Sequence, residues 1–535
     1  MCLEPISLVV FGSLVFFFGL VKYFKRGERQ RTRGILQPEY KDKYYYSKEK
    51  GEEMGEVANV NEIPVKIRNH KYPAKEHNLR VKDLLLNRNP KLSKISTAFF
   101  IAGEELEGNK YCDTNKDFRQ NRYFYHLSGV DIPASAILFN CSTDKLTLFL
   151  PNIDEEDVIW SGMPLSLDEA MRVFDIDEAL YISDLGKKFK ELQDFAIFTT
   201  DLDNVHDESI ARSLIPSDPN FFYAMDETRA IKDWYEIESI RKACQISDKS
   251  HLAVMSALPI ELNELQIQAE FEYHATRQGG RSLGYDPICC SGPACGTLHY
   301  VKNSEDIKGK HSILIDAGAE WRQYTSDITR CFPTSGKFTT EHREVYETVL
   351  DMQNQAMERI KPGAKWDDLH ALTHKVLIKH FLSMGIFKKE FSEDEIFKRR
   401  ASCAFYPHGL GHMLGLDVHD VGGNPNYDDP DPMFRYLRIR RPLKENMVIT
   451  NEPGCYFNQF LIKEFLEKHP ERLEVVDMSV LKRYMYVGGV RIEDDILVTK
   501  DGYENLTGIT SDPDEIEKIV QKGLKKPRSG FHVIV

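Results

Sequence analysis

Apolar positions along this chain change their period several times, and each change marks a segment. Residues 6–21 (ISLVVFGSLVFFFGLV) are apolar without interruption, and Lys22, Lys25, Arg26, Arg29, Arg31 and Arg33 follow. Residues 26–72 are charged and hold no sustained period, which predicts a tether. Between 73 and 225 short β-type runs alternate with helical ones. AFFIAGE (98–104), AILFN (136–140) and LTLFLP (146–151) predict strands. The stretch after Pro164 predicts a helix capped by Ser166, with Glu169 three residues on. Residues 226–258 have helical spacing throughout, with Ile237, Ile240, Ala243 and Cys244 on one face, and read as one long helix joining two domains. The remaining elements, and every residue with chemical content, fall in 226–520. The expected class is α/β (α+β), with one domain over 73–225 and a second over 226–520.

The apolar start changes the picture of location. A cleavable signal peptide carries its positive charge ahead of the apolar run, whereas here MCLEP has none and the charge follows. If residues 1–25 anchor the chain in a membrane through 6–21, the following lysines and arginines place the bulk of the protein on the cytoplasmic side. A segment that targets an organelle, and a start without fixed structure, are the other two readings. Net charge is -13 and pI about 5.8, which gives no encouragement for nucleic acid or anionic lipid as partners. Ten cysteines lie scattered without zinc-finger spacing, so they are expected as thiols in a reducing compartment. Cys289, Cys290 and Cys295 crowd the stretch before His299. HALTH (370–374) reads as an ordinary helix face, since it lacks the glutamate of a zinc-peptidase helix.

Four stretches carry candidate chemistry. HSILIDAGAEW (311–321) and QYTSDITRCF (323–332) predict a hairpin turning at Trp321-Arg322, which sets Asp316 directly opposite Asp327. Opposed residues share a face about 5 Å apart. Two carboxylates at that distance need a proton or a cation between them. A pair of solvated strand-edge acids is the other reading of the hairpin by itself. FYPHGLGHMLGLDVHDVGG (405–423) gives His412 and His419 among glycines, with His408 behind. ITNEPGCYF (449–457) holds Glu452 before a Pro-Gly turn, and YVGGVRIEDDILV (486–498) puts Arg491 and Glu493 on one strand face. Singly, each of these has an ordinary structural explanation. Together, Asp316, Asp327, Glu452 and Glu493 supply four negative charges, which two divalent cations balance. Oxygen-rich donors with one imidazole suit Mn²⁺, with Co²⁺, Fe²⁺ or Zn²⁺ as alternatives. A pair of such ions polarises a carbonyl and activates water for amide hydrolysis without a protein nucleophile.

In the order DAGAE, SDITR, PHGLGH, NEPG, VRIEDD, these residues resemble the pita-bread metallopeptidases, nearest to the Xaa-Pro dipeptidases (prolidases) and aminopeptidases P. FRQNRYFYHLSGV (118–130) is similar to that family's creatinase-like N-terminal domain. The resemblance implies Asp316, Asp327, His412, Glu452 and Glu493 as metal ligands, with Asp327 and Glu493 shared between two ions. It implies His299 and His419 as hydrogen-bond donors near the scissile bond, and Glu452 as the proton shuttle. Arg491 would hold the substrate side of the site. Arg438, placed before NEPG as in prolidases, would grip a dipeptide's carboxylate, although Arg440 and Arg441 stand close by. The expected activity is hydrolysis of Xaa-Pro bonds of dipeptides. Removal of the N-terminal residue from longer Xaa-Pro peptides is the alternative, and a catalytically silent peptide-binding relative the third reading. Short peptides with proline second are the expected substrates, and a homodimer the expected assembly.

Overall fold

The computed structural model describes residues 63–532. The apolar stretch 6–21 and most of the tether lie outside the described residues, and no helix among those described is long and apolar enough to cross a membrane.

The first domain is built on a six-stranded sheet. Its order is Glu178–Tyr181, Lys145–Leu150, Ala136–Asn140, Thr97–Ala102, Ala196–Thr199, Leu214–Pro216. The central strand TAFFIA pairs antiparallel with Ala136–Asn140 and parallel with Ala196–Thr199. It is apolar at almost every position because both faces are covered: Phe99 enters one core with Phe139 and Phe221, and Phe100 enters another with Leu138 and Phe189. The three strands expected from the sequence are these three consecutive ones. Leu167–Val173 is the expected helix: Ser166 Oγ accepts from the Glu169 amide at 3.3 Å, and Glu169 accepts from the Ser166 amide at 3.0 Å.

The joint is two helices rather than one. Pro219–Ala230 ends, the backbone leaves helical geometry through Ile231–Asp233, and Trp234–Ala257 begins. Asp233 is the physical cause. Its side chain accepts from the Tyr235 and Glu236 amides at 2.8 and 2.9 Å, and Glu236 returns a bond to the Asp233 amide, so a complete cap starts a new helix where spacing alone predicts continuity. Ile240, Ala243 and Cys244 are fully buried on the expected face.

In the second domain Ser312–Asp316 runs between Ile288–Ser291 and Thr329–Pro333, antiparallel to both. Val448–Asn451 pairs with Asp494–Val498, and Gly454–Tyr456 with Gly489–Arg491. The helices Thr340–Met357 and Trp366–Met384 pack on each other behind these strands. The HALTH histidines lie on a buried face of the second helix, where His370 Nε2 bonds Met433 O at 2.7 Å and His374 Nδ1 lies 2.9 Å from Ser402 Oγ.

Candidate metal centre

The hairpin sets the first two acids. Trp321 pairs with Tyr324, Glu320 with Thr325, and Asp316 with Thr329. The turn therefore falls on Arg322-Gln323, one residue later than the sequence suggests, and Asp316 faces Thr329 instead of Asp327. Asp327 stands two residues along the same strand path, so the shared face survives although the direct opposition does not. Arg322 and Gln323 both have left-handed backbones (φ 49° and 67°), the two-residue turn whose twist matches its strands. Between Asp316 and Ala319 the ladder opens at Gly318, where a Cβ would lie 1.7 Å from Ser326 O. Only glycine allows that approach.

Asp327 is fixed through its backbone, since its amide donates to the buried Asp495 carboxylate at 3.0 Å. The Tyr285 hydroxyl stands 2.5 Å from Oδ1 of both Asp316 and Asp327. His412 Nδ1 donates to Met413 O at 3.0 Å, which turns the Nε2 lone pair toward the acids. That nitrogen is 3.3 Å from Asp327, 3.4 Å from Glu452 and 4.0 Å from Glu493. Glu452 follows the strand Val448–Asn451, with its amide bonded to Leu410 O at 2.9 Å. Glu493 lies between Gly489–Arg491 and Asp494–Val498, where it accepts from Thr329 Oγ1 at 2.6 Å. The five expected ligands, drawn from four separate stretches of chain, thus meet in one place.

Their electrostatics call for cations. Burial first, then repulsion among the acids, pushes Asp327 and Glu493 well above the ordinary carboxyl range and Glu452 up to about 7. Burial holds His412 down to about 3, so it is neutral and free to ligate. Arg491 is the protein cation bonded to this cluster, and its guanidinium is shared among Asp316 (2.5 Å), Thr329 (3.1 Å) and Tyr456 (3.0 Å). Ligand atoms of Asp327, His412 and Glu493 lie within 4.8 Å of one another. Four carboxylates and one aimed imidazole nitrogen fit two divalent ions. His77, His126 and Glu236 form a second buried group at similar spacing. There the two rings stack at 4.2 Å and 13°, so their in-plane lone pairs cannot converge on one ion, and His77 Nε2 is committed to Asp233 at 2.7 Å.

A cavity of about 550 Å³ opens over the acids. Leu298, His299, His419, Arg438, Phe460 and Glu464 form part of its wall, and Arg491 lies on the same wall. The ring of His419 meets that of His412 edge-on at 4.5 Å. Of the three neighbouring arginines, Arg440 pairs with Asp367 and Asp429 at 2.9 Å each, and Arg441 pairs with Glu227. Arg438 faces the cavity and makes no hydrogen bond or ion pair among the described residues. Cys289, Cys290 and Cys295 are buried free thiols outside the donor cluster. Tyr285, Thr329, Tyr456 and Asp495 were not anticipated from the sequence. Each acts through a partner distant along the chain, and none stands in a pattern of its own.

Comparison with known proteins bears on these observations. Residues 238–500 match the model of metallopeptidase family M24, and residues 78–196 match the N-terminal domain of aminopeptidase P. A probable Xaa-Pro aminopeptidase of Sordaria macrospora is 45% identical over 464 residues, covering 84% of this chain and 97% of that protein. A counterpart from Sclerotinia sclerotiorum is 43% identical over 473 residues, covering 85% of this chain and 82% of that protein. Among solved structures, aminopeptidase P from Escherichia coli with the inhibitor Pro-Leu superposes at a TM-score of 0.70, with 28% identity over 85% of this chain and 100% of that one. A zinc-substituted form of the same enzyme with its product gives the same score, identity and coverage. The mixed α/β architecture is therefore an aminopeptidase P N-terminal domain followed by a pita-bread domain.

Proposed function

Because this chain belongs to metallopeptidase family M24, we propose that it is an aminopeptidase P, releasing the N-terminal residue from peptides whose second residue is proline. The observation that carries the reading is the convergence of Asp316, Asp327, His412, Glu452 and Glu493 on one cavity of about 550 Å³. The names of the relatives favour this over the dipeptidase expected first. Two divalent ions, Mn²⁺ by the chemistry of the donors, would sit among these five side chains and supply charge to polarise the scissile carbonyl and activate water. The residues of the chain do the rest. Glu452, at the cavity floor, takes the proton from water and gives it to the proline nitrogen as it leaves. His299 and His419 donate from the walls to the substrate carbonyl and to the negative charge that develops on it. Arg491 holds Asp316 in place and borders the substrate side. The unpaired Arg438 receives a carbonyl or carboxylate beyond the proline.

The dipeptidase reading keeps one specific support. An arginine without a protein partner, facing a peptide-sized cavity, can take the free carboxylate of a dipeptide as readily as the chain of a longer peptide. Metal-free protein reloaded with Mn²⁺ separates the two on Gly-Pro and Xaa-Pro-Pro substrates. Cleavage of the tripeptide with little of the dipeptide supports the aminopeptidase, efficient cleavage of both adds the dipeptidase activity, and cleavage of neither with metal bound leaves peptide binding alone. A homodimer, and a cytoplasm-facing chain held by residues 6–21, complete the proposal. Sedimentation velocity reads the assembly.

A further inference from the structure

Two buried cations of the joint end on a loop of the cavity. Arg229 lies in the last turn of Pro219–Ala230 and Lys232 in the break after it. Their side chains are only 2% and 1% exposed. Charges taken so far from water persist only where they are paired. Arg229 Nη2 donates to Asp417 Oδ2 at 2.8 Å and to Asp420 Oδ1 at 2.6 Å, and Lys232 Nζ donates to Asp420 Oδ2 at 2.9 Å. Against the upward push of burial, Lys232 and Arg229 hold the Asp420 carboxyl below its ordinary range. Every one of these bonds ends two residues before, or one residue after, His419.

Other residues hold the loop as well: Arg122 Nε donates to Asp417 Oδ1 and Arg119 Nη2 to Leu416 O, each at 3.3 Å, and the Thr325 amide donates to Gly415 O at 3.0 Å. Asp420 N bonds Met413 O at 2.9 Å and Gly415 N bonds Asp417 O at 3.1 Å, which closes the turn from His412 to His419. Gly415 is packed against the same pair, where a Cβ would lie 2.2 Å from Asp420 Oδ2 and 2.9 Å from Lys232 Nζ. His419 itself makes no hydrogen bond among the described residues, and its one ring-to-ring contact among them is with His412. The position of the imidazole is therefore set by its flanking aspartates.

We propose that Arg229 and Lys232 are positioning residues that aim His419 into the cavity through Asp417 and Asp420. This rests on the reading of His419 as a substrate donor. It gives the domain joint a part in turnover: the cations lie in the helix end and break that connect the two domains, and the group they aim faces the substrate.

The test uses full-length wild type, Arg229→Lys, His419→Ala and the double variant, all reloaded with Mn²⁺. Turnover of an Xaa-Pro-Pro tripeptide is measured beside the rate at which diethyl pyrocarbonate modifies His419, followed by peptide mass. A misplaced donor costs roughly tenfold to hundredfold in turnover. Arg229→Lys is expected to lower kcat by about tenfold with KM within about twofold, and to cost less than about twofold in the His419→Ala background. Modification of His419 should change by about threefold or more, with metal content unchanged. An equal loss in both backgrounds, no loss, or an unchanged modification rate overturns the proposal. If wild type cleaves no Xaa-Pro peptide, the functional reading falls, and the modification rate alone decides this one. Asp417→Asn, a milder change at a partly exposed residue, is measured in the same way should Arg229→Lys fail to fold.

Discussion

Arg438 faces the cavity because its neighbours are engaged elsewhere, Arg440 with Asp367 and Asp429, Arg441 with Glu227. A charge-assisted bond to substrate is worth about 1.5–3 kcal/mol, so Arg438→Ala should raise KM for Gly-Pro by roughly tenfold to hundredfold. A longer peptide, gripped at more points, should lose less, and steady-state kinetics on the two substrates reads the difference. Gly318 is the opposite kind of residue, needed for what it lacks. Gly318→Ala forces a Cβ onto Ser326 O, parts the strands that hold Asp316 and Asp327, and should release bound metal, measured by elemental analysis. Asp327→Asn should abolish turnover yet leave the melting temperature of metal-free protein unchanged or higher, because one repelling charge leaves a crowded buried cluster. At this scale the five side chains that meet at the cavity were legible from residue type and motif. Arg229 and Tyr285 were not, since a cation or a phenol gains its role from partners 188 and 31 residues away.

Among elements, the hairpin shows how far pattern carries. Moving the turn by one residue moves the partner of Asp316 by two, from 327 to 329. A strand has period two, so the error preserves the face and changes only the offset. The strands of the first domain were legible for the same reason, their apolar runs being bounded on both sides. The break at Ile231–Asp233 was hidden because helical spacing runs on through it, and only the Asp233 cap, set by chemistry and not by period, interrupts it. The helix Thr340–Met357 carries a comparable local cost. His342 is fully buried with neither ring nitrogen bonded, and burial holds it down to about 3. Replacing an unpaired polar group by an apolar one relieves about 1–3 kcal/mol of desolvation. His342→Leu should therefore exceed wild type in melting temperature at pH 7.5, and by more at pH 5, where the wild-type histidine loses roughly 2 kcal/mol.

For the whole molecule, His342 is one of a set. Burial lowers His251 and His370 to about 4, and His126 and His374 well below the ordinary value. Each binds its proton more weakly folded than unfolded. Their stabilisation is complete above the unfolded value of about 6.5 and is lost as pH falls below it toward the folded values. Glu261, Glu320 and Glu452, raised to about 7, and Asp248, raised to about 6, all chiefly by burial, act in the opposite direction over the same window. Removing one histidine of the set, as in His342→Leu, should therefore lessen the loss of melting temperature between pH 6.5 and 5, as scanning calorimetry would record. The two domains should melt together, since Arg122 of the first joins Glu320 at 3.1 Å, Gln323 and Asp417 of the second. The turn Arg322-Gln323 shows what that union means in time. Its two left-handed residues lack the glycine or asparagine that would make the turn form unaided, and both are gripped from outside, Arg322 by Tyr235 and Gln323 by Arg122 and Asp131. All three gripping residues precede the turn in the chain. During synthesis, which runs from the N-terminus, the surface that receives the turn has already left the ribosome when the hairpin emerges. The first domain thus serves the hairpin as a template, and a second domain made without it would have to fold its metal-binding strands around a turn with much of its support missing.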